Sequence, residues 1–227
     1  MQKKAVLASV LIALVCVTVL VAASVALFSQ SATVDTYLNA GELKISLVRT
    51  DLKGRFADKN GVLSAEKTFT EDVDLTDAET TGNSAFKFGN EQSPVFNVPG
   101  VWEEAWLKLT NLGNVAFDYS LTFIYGEEGA PVSGTPEYNL ANKLLVTVSL
   151  PDGTPIKSGT LAQTVQDGKL ELGTITATNA HATIRVKVEL PYEADSVDDG
   201  TGDTVMNANL KFGFVITATQ HVAGAIN

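Results

Sequence analysis

The sequence predicts an all-β fold, an antiparallel β-sandwich of jelly-roll-like form behind a cleavable N-terminal signal peptide. Three observations carry that expectation. Apolar and polar residues alternate at period two through several segments, clearest at 116–125, 183–190 and 210–218. Clusters of Gly, Asn, Asp and Pro separate these segments, as turns require. No stretch of helical period and useful length interrupts them. Strands with one apolar face need a second sheet to cover it, and two packed antiparallel sheets meet that need.

The chain has 227 residues, of which 45% are hydrophobic and 19% charged, enough for one domain with a sizeable core. Its start, 1–26, reads as a signal peptide. Lys3 and Lys4 form a basic head, and 5–28 follows without a charge. Ser24-Val25-Ala26 then supplies small residues at the positions a signal peptidase needs, which puts cleavage between Ala26 and Leu27. A retained membrane anchor is the alternative, because an apolar run of this length can span a bilayer. Loss of both lysines leaves 14 basic residues against 26 acidic ones, a net charge of −12. Such a balance disfavours nucleic acid and anionic membrane as partners and suits solubility outside the cell. Contact with membrane is expected only before cleavage. Cys16 is the one cysteine and lies in the leader, so the mature chain is expected to hold no disulfide.

Taken in order, 27–42 is an apolar-polar segment ending in the turn Asn39-Ala40-Gly41, and 43–227 is the sandwich domain. Leu43, Ile45 and Leu47 share one face of the first strong strand. The stretch 51–97 reads as an insertion of loops and edge strands, with a turn at Asp58-Lys59-Asn60-Gly61 and a short strand at Ala85-Phe86-Lys87-Phe88. Trp106-Leu107-Lys108-Leu109-Thr110 is a strand. In 116–125, Phe117, Tyr119, Leu121, Phe123 and Tyr125 fall on one face. The segment 136–143 reads as a short helix or a turn. Leu144, Val146, Val148 and Leu150 point one way in the next strand, and Gly173 separates Leu170-Glu171-Leu172 from Thr174-Ile175-Thr176. Ile184, Val186, Val188 and Leu190 face inward, with Arg185, Lys187 and Glu189 outward. Leu210, Phe212, Phe214, Ile216 and Ala218 define one face of the last strand.

Reactive groups are few. The mature chain has two histidines, His181 and His221, and no H-E-x-x-H pair, G-x-S-x-G elbow or phosphate-cradling glycine loop. Neither catalytic residues nor a cofactor are expected. Asp198, Asp199 and Asp203, and separately Asp72, Asp74 and Asp77, offer hard oxygen ligands of the kind calcium takes. They lack the twelve-residue loop spacing with its terminal Glu, so both runs read as solvated acidic turns. Trp102 and Trp106 are four apart and share a face of an extended segment, where core packing is the expectation.

Three segments together resemble the TasA/camelysin family of secreted, fibre-forming β-sandwich proteins from Gram-positive bacteria and some archaea. They are Val25-Ala26-Leu27-Phe28-Ser29 with Asn39-Ala40-Gly41-Glu42-Leu43; Val98-Pro99-Gly100 leading through 107–111 to Gly113-Asn114-Val115-Ala116-Phe117-Asp118-Tyr119; and 212–220 at the end. The stretch 51–97 is not covered. The resemblance implies a SipW-type signal peptidase, export to the cell surface or extracellular matrix, and a homopolymer built by donor-strand exchange. The donor would then be 27–37, with Leu27, Phe28, Val34 and Tyr37 as its candidate contact residues. A freed strand of one subunit entering the next one's sheet is β-strand addition, and a head-to-tail contact of that kind propagates as a fibre. The family also carries a metalloendopeptidase label, for which this sequence has no zinc motif. A secreted metal-dependent endopeptidase and a monomeric surface adhesin or binding module are the alternatives.

Overall fold

Among the described residues of the computed structural model, ten strands and two short helices follow one another. The structure describes residues 42–58, 60–77, 83–87, 98–126, 129–176, 178–192, 205, 208 and 210–221. The strands are β1 (Ile45–Arg55), β2 (Lys67–Phe69), β3 (Val73–Asp74), β4 (Trp102–Asn111), β5 (Phe117–Tyr125), β6 (Leu145–Ser149), β7 (Pro155–Thr160), β8 (Lys169–Ile175), β9 (His181–Glu189) and β10 (Phe212–Gln220). Helix α1 (Pro136–Lys143) precedes β6, and α2 (Leu161–Asp167) links β7 to β8. The large sheet runs β2-β1-β4-β9-β6-β7, with β3 also paired to β1, and the small sheet runs β10-β5-β8. Every pairing is antiparallel. The fold is the all-β sandwich that the alternation predicts.

The core lies between the sheets. Leu52, Leu107, Val148, Val186 and Val188 from the large sheet and Phe117 and Leu121 from the small one are fully buried. Alternation places them there, since successive side chains on a strand leave by opposite faces. Leu144 and Leu190 close the core at strand ends, but Leu150 is exposed, because it follows β6 into the turn at Pro151-Asp152-Gly153.

The stretch beyond residue 50 is more regular than its composition suggests. β1 runs on to Arg55, and a bulge between Arg49 and Asp51 lets the register with β4 resume. β2 and β3 are the edge strands laid against it. The Asp58–Gly61 turn forms, with Asp58 Oδ1 accepting from the N–H groups of Asn60 and Val62. No strand forms at 83–87, and Phe88 lies outside the described residues. The reason is that side chains satisfy this backbone: Arg49 donates to the carbonyls of Ser84 and Ala85, and Glu103 accepts from Lys87 N–H.

The segment at 136–143 is a helix rather than a turn. Thr135 caps it, its Oγ1 accepting from Tyr138 N–H at 3.3 Å, and Pro136 occupies the first helical position. Two elements had no expectation attached. α2 starts with a capping box in which Thr160 and Gln163 bond each other's main chain. β7 is an edge strand whose Pro, Lys and Gly hide it from a search for apolar alternation. β8 is one strand through Gly173, whose φ of 140° and register shift mark a bulge that most side chains would strain to adopt.

Candidate functional site

A sandwich with open sheets has edges, and these edges differ in what they present. At one end of the large sheet β2 is three residues long and begins with Lys67. At the other, β7 carries Pro155 and Lys157. In the small sheet β8 offers Lys169 and Glu171 at one edge. Short length, charge and proline are the devices that keep an edge from pairing with another chain. β10, at the remaining edge, has none of them. It is nine residues long, uncharged and free of proline, and among the described residues its one neighbour is β5.

The hydrogen bonding of β10 tells which of its groups face outward. Gly126 N–H donates to Lys211 O at 2.9 Å before the strand, and His221 N–H donates to Ala116 O at 2.8 Å after it. Both are pairs of residues directly opposite each other, and the register from Phe212↔Tyr125 to Gln220↔Phe117 has no shift. Bonded and non-bonded pairs alternate in an antiparallel ladder. Gly213, Val215, Thr217 and Thr219 therefore bond β5, and the main-chain groups of Phe214, Ile216 and Ala218 point away from it. Their side chains belong to the sandwich interior: Ile216 is buried, and Phe214 packs edge-on to Phe123 at 6.0 Å and to Phe86 at 6.2 Å.

Phe86 reaches β10 because a polar clasp holds 83–87 against the large sheet. Arg49 faces inward from β1, almost wholly buried, and its Nη2 lies 3.1 Å from Glu71 Oε1. Burial lowers the Arg49 guanidinium from its ordinary pKa, while Glu71 and Glu103 oppose that. Lys87 pairs with Glu71 at 3.3 Å, with its ammonium 4.4 Å from the centre of the Phe69 ring. At the far end of β10, Asp118 accepts from the Thr174 hydroxyl and meets His221 Nδ1 at 2.9 Å. Those two contacts, Thr174 first, hold its carboxyl below the usual aspartate range.

Trp102 and Trp106 are not in the core. β4 turns Ala105, Leu107 and Leu109 inward, so both indoles stand on the outer face of the large sheet, half-buried. The Leu107-Lys108-Leu109 alternation already contains that answer. Arg185 lies over Trp106 at 4.8 Å and binds Glu104 through Nε and Nη2, and Trp106 Nε1 donates to the same carboxylate at 3.2 Å. Lys187 lies 5.1 Å over Trp102 and pairs with Glu189.

Ala26 and Leu27, the donor residues Phe28, Val34 and Tyr37, and the acidic positions Asp198, Asp199 and Asp203 lie outside the described residues. Asp72, Asp74 and Asp77 are described; Asp74 Oδ1 accepts from Thr76 N–H at 2.8 Å in a local turn. Among the described residues no three His, Cys, Asp or Glu side chains converge as metal ligands, and no helix is long and apolar enough to cross a membrane. Comparison of the sequence with protein-family models and with curated proteins finds no match to either.

Proposed function

We propose that this protein is a secreted structural subunit that polymerises into extracellular filaments by β-strand addition, as its resemblance to the TasA/camelysin family implies. The observation that supports this reading is the edge of β10, which among the described residues is covered by no other strand and turns the main-chain groups of Phe214, Ile216 and Ala218 outward. An incoming strand gains main-chain hydrogen bonds there, and its alternate side chains continue the apolar face of the small sheet. The donor is 27–37 of another copy, freed by cleavage after Ala26 by a SipW-type signal peptidase, with Leu27 and Tyr37 as contact residues on one of its faces and Phe28 and Val34 on the other. The exported chain is its own partner, and no catalytic role or cofactor enters.

Negative-stain microscopy of the purified mature chain beside a variant lacking 27–37 tests this. The full mature chain is expected to form filaments and the shortened one to remain a soluble monomer. Filaments that persist unchanged in the deletion overturn the reading.

A further inference from the structure

Across β1, β4 and β9 the outer face of the large sheet carries more cations than carboxylates, on a chain whose formal net charge is −10. Register places the residues in rows across three strands. Arg55, Trp102 and Glu189 form one row, Lys53, Glu104 and Lys187 the next, and Asp51, Trp106 and Arg185 the third; Val48, Lys108 and Thr183 form the fourth. Strand geometry makes this a stripe about 20 Å long and about 10 Å wide. It holds five cations, Lys53, Arg55, Lys108, Arg185 and Lys187, against three carboxylates.

Four of these cations are held in place by neighbouring side chains. Lys53 and Arg185 both lie against the Trp106 indole, at 5.9 and 4.8 Å, and Lys187 lies against Trp102. The Arg55 guanidinium donates to the Tyr192 hydroxyl. Lys53, Arg55 and Lys108 form no ion pair among the described residues. Positive groups spaced along a stripe, with the Asp51 carboxylate between them to accept from hydroxyls, match a polymer that carries both acid groups and alcohols.

We infer that this face binds a linear anionic polysaccharide, its acid groups on Lys53, Arg55 and Lys108 and its hydroxyls on Asp51. Charge complementarity selects that occupant. A nucleic acid carries a charge every ~1.7 Å of duplex, a density that the interspersed carboxylates and the acidic remainder of the chain repel. A sugar acid carries fewer charges and more hydroxyls, which fits five cations mixed with three carboxylates. The site stands apart from the β10 edge and does not depend on assembly through it.

Titration of the mature chain with polygalacturonate at low salt tests this, with neutral dextran and duplex DNA as comparison ligands. Polygalacturonate is expected to bind, dextran not to, and DNA to bind more weakly. Binding should fade as salt screens the charges. Lys53→Glu with Lys108→Glu, both at positions without an ion pair among the described residues, should weaken it by about tenfold or more, since two attractive charges become repulsive. The milder Lys53→Gln with Lys108→Gln should fall between, and its unfolding midpoint confirms that it folds. Absence of polygalacturonate binding, equal binding by the Glu variant, or equal or tighter binding of dextran or DNA overturns the inference. So does a face that proves to be covered by a second copy, seen as self-association that the Glu variant abolishes. Filament formation is scored on the same variants, so loss of polysaccharide binding and loss of assembly are separate results.

Discussion

Arg49 and Ser84 are joined by a hydrogen bond of 2.9 Å from guanidinium to main-chain carbonyl, 35 residues apart in the chain. A charged side chain pointing into a sandwich is costly unless its hydrogens are used. Here it supplies what a neighbouring strand would otherwise give to 83–87, and so seats Phe86 on Phe214. Arg49→Met keeps the bulk and removes the bonds. It is expected to destabilise the fold by about 2–3 kcal/mol, through the stranded carbonyls and the loosened loop. Urea unfolding followed by tryptophan fluorescence checks this, and an unchanged midpoint contradicts it.

Leu121 occupies the middle of β5, fully buried, opposite Ile216. Leu121→Ala leaves a cavity that two packed sheets close only in part. A loss of about 3 kcal/mol is expected in the same unfolding experiment. A loss below about 1 kcal/mol means the core there is not packed as described.

Three aspartates have carboxyls held below their ordinary pKa by hydrogen bonds to the charged form. Thr174 and then His221 act on Asp118, Thr76 N–H acts on Asp74, and Thr154 N–H acts on Asp152. A depressed carboxyl contributes stability that is complete above its unfolded pKa and lost as pH falls through the folded one. Between those two values the unfolded chain binds more protons, so stability climbs with pH. The thermal midpoint is therefore expected to fall as acid is added below the ordinary aspartate range. A triple Asp→Asn variant at these positions should show a shallower fall; one as steep as the parent's rules these carboxyls out.

Proline distinguishes the two sides of β10. At Ala218 the N–H points to the open edge, so Ala218→Pro should leave the fold in place and stop filaments from forming. At Thr217 the N–H bonds β5, so Thr217→Pro should cost about 2 kcal/mol or more in stability. Unfolding midpoints and microscopy of both variants decide it. Filaments from Ala218→Pro as abundant as the parent's remove β10 as the acceptor.

The strands with apolar residues on one face were readable because period two is a local signal, as in Phe117, Tyr119, Leu121 and Phe123. β7 was not, because an edge strand is half wet and Pro155, Lys157 and Gly159 serve its exposure rather than a core. The capping box of Thr160 and Gln163 was present to be read, yet seven residues of helix are too few for a periodic face. Trp102 and Trp106 misled because bulk suggests burial, whereas Leu107 and Leu109 decide which face is inside. The Arg49 clasp had no local sign: Glu71, Lys87 and Glu103 meet it only once β1, β4 and 83–87 are brought together.

The parity of β10 also sets a unit of distance. Its outward-facing groups recur at every second residue, so a strand laid along it can shift only by about 7 Å at a time. Intermediate positions would turn the bonding groups of the incoming strand away from β10. In the proposed fibre, spacing between successive subunits along such an edge is thus a whole-number quantity. A loose or mutated joint would produce fibres differing in repeat by discrete jumps rather than by a smear.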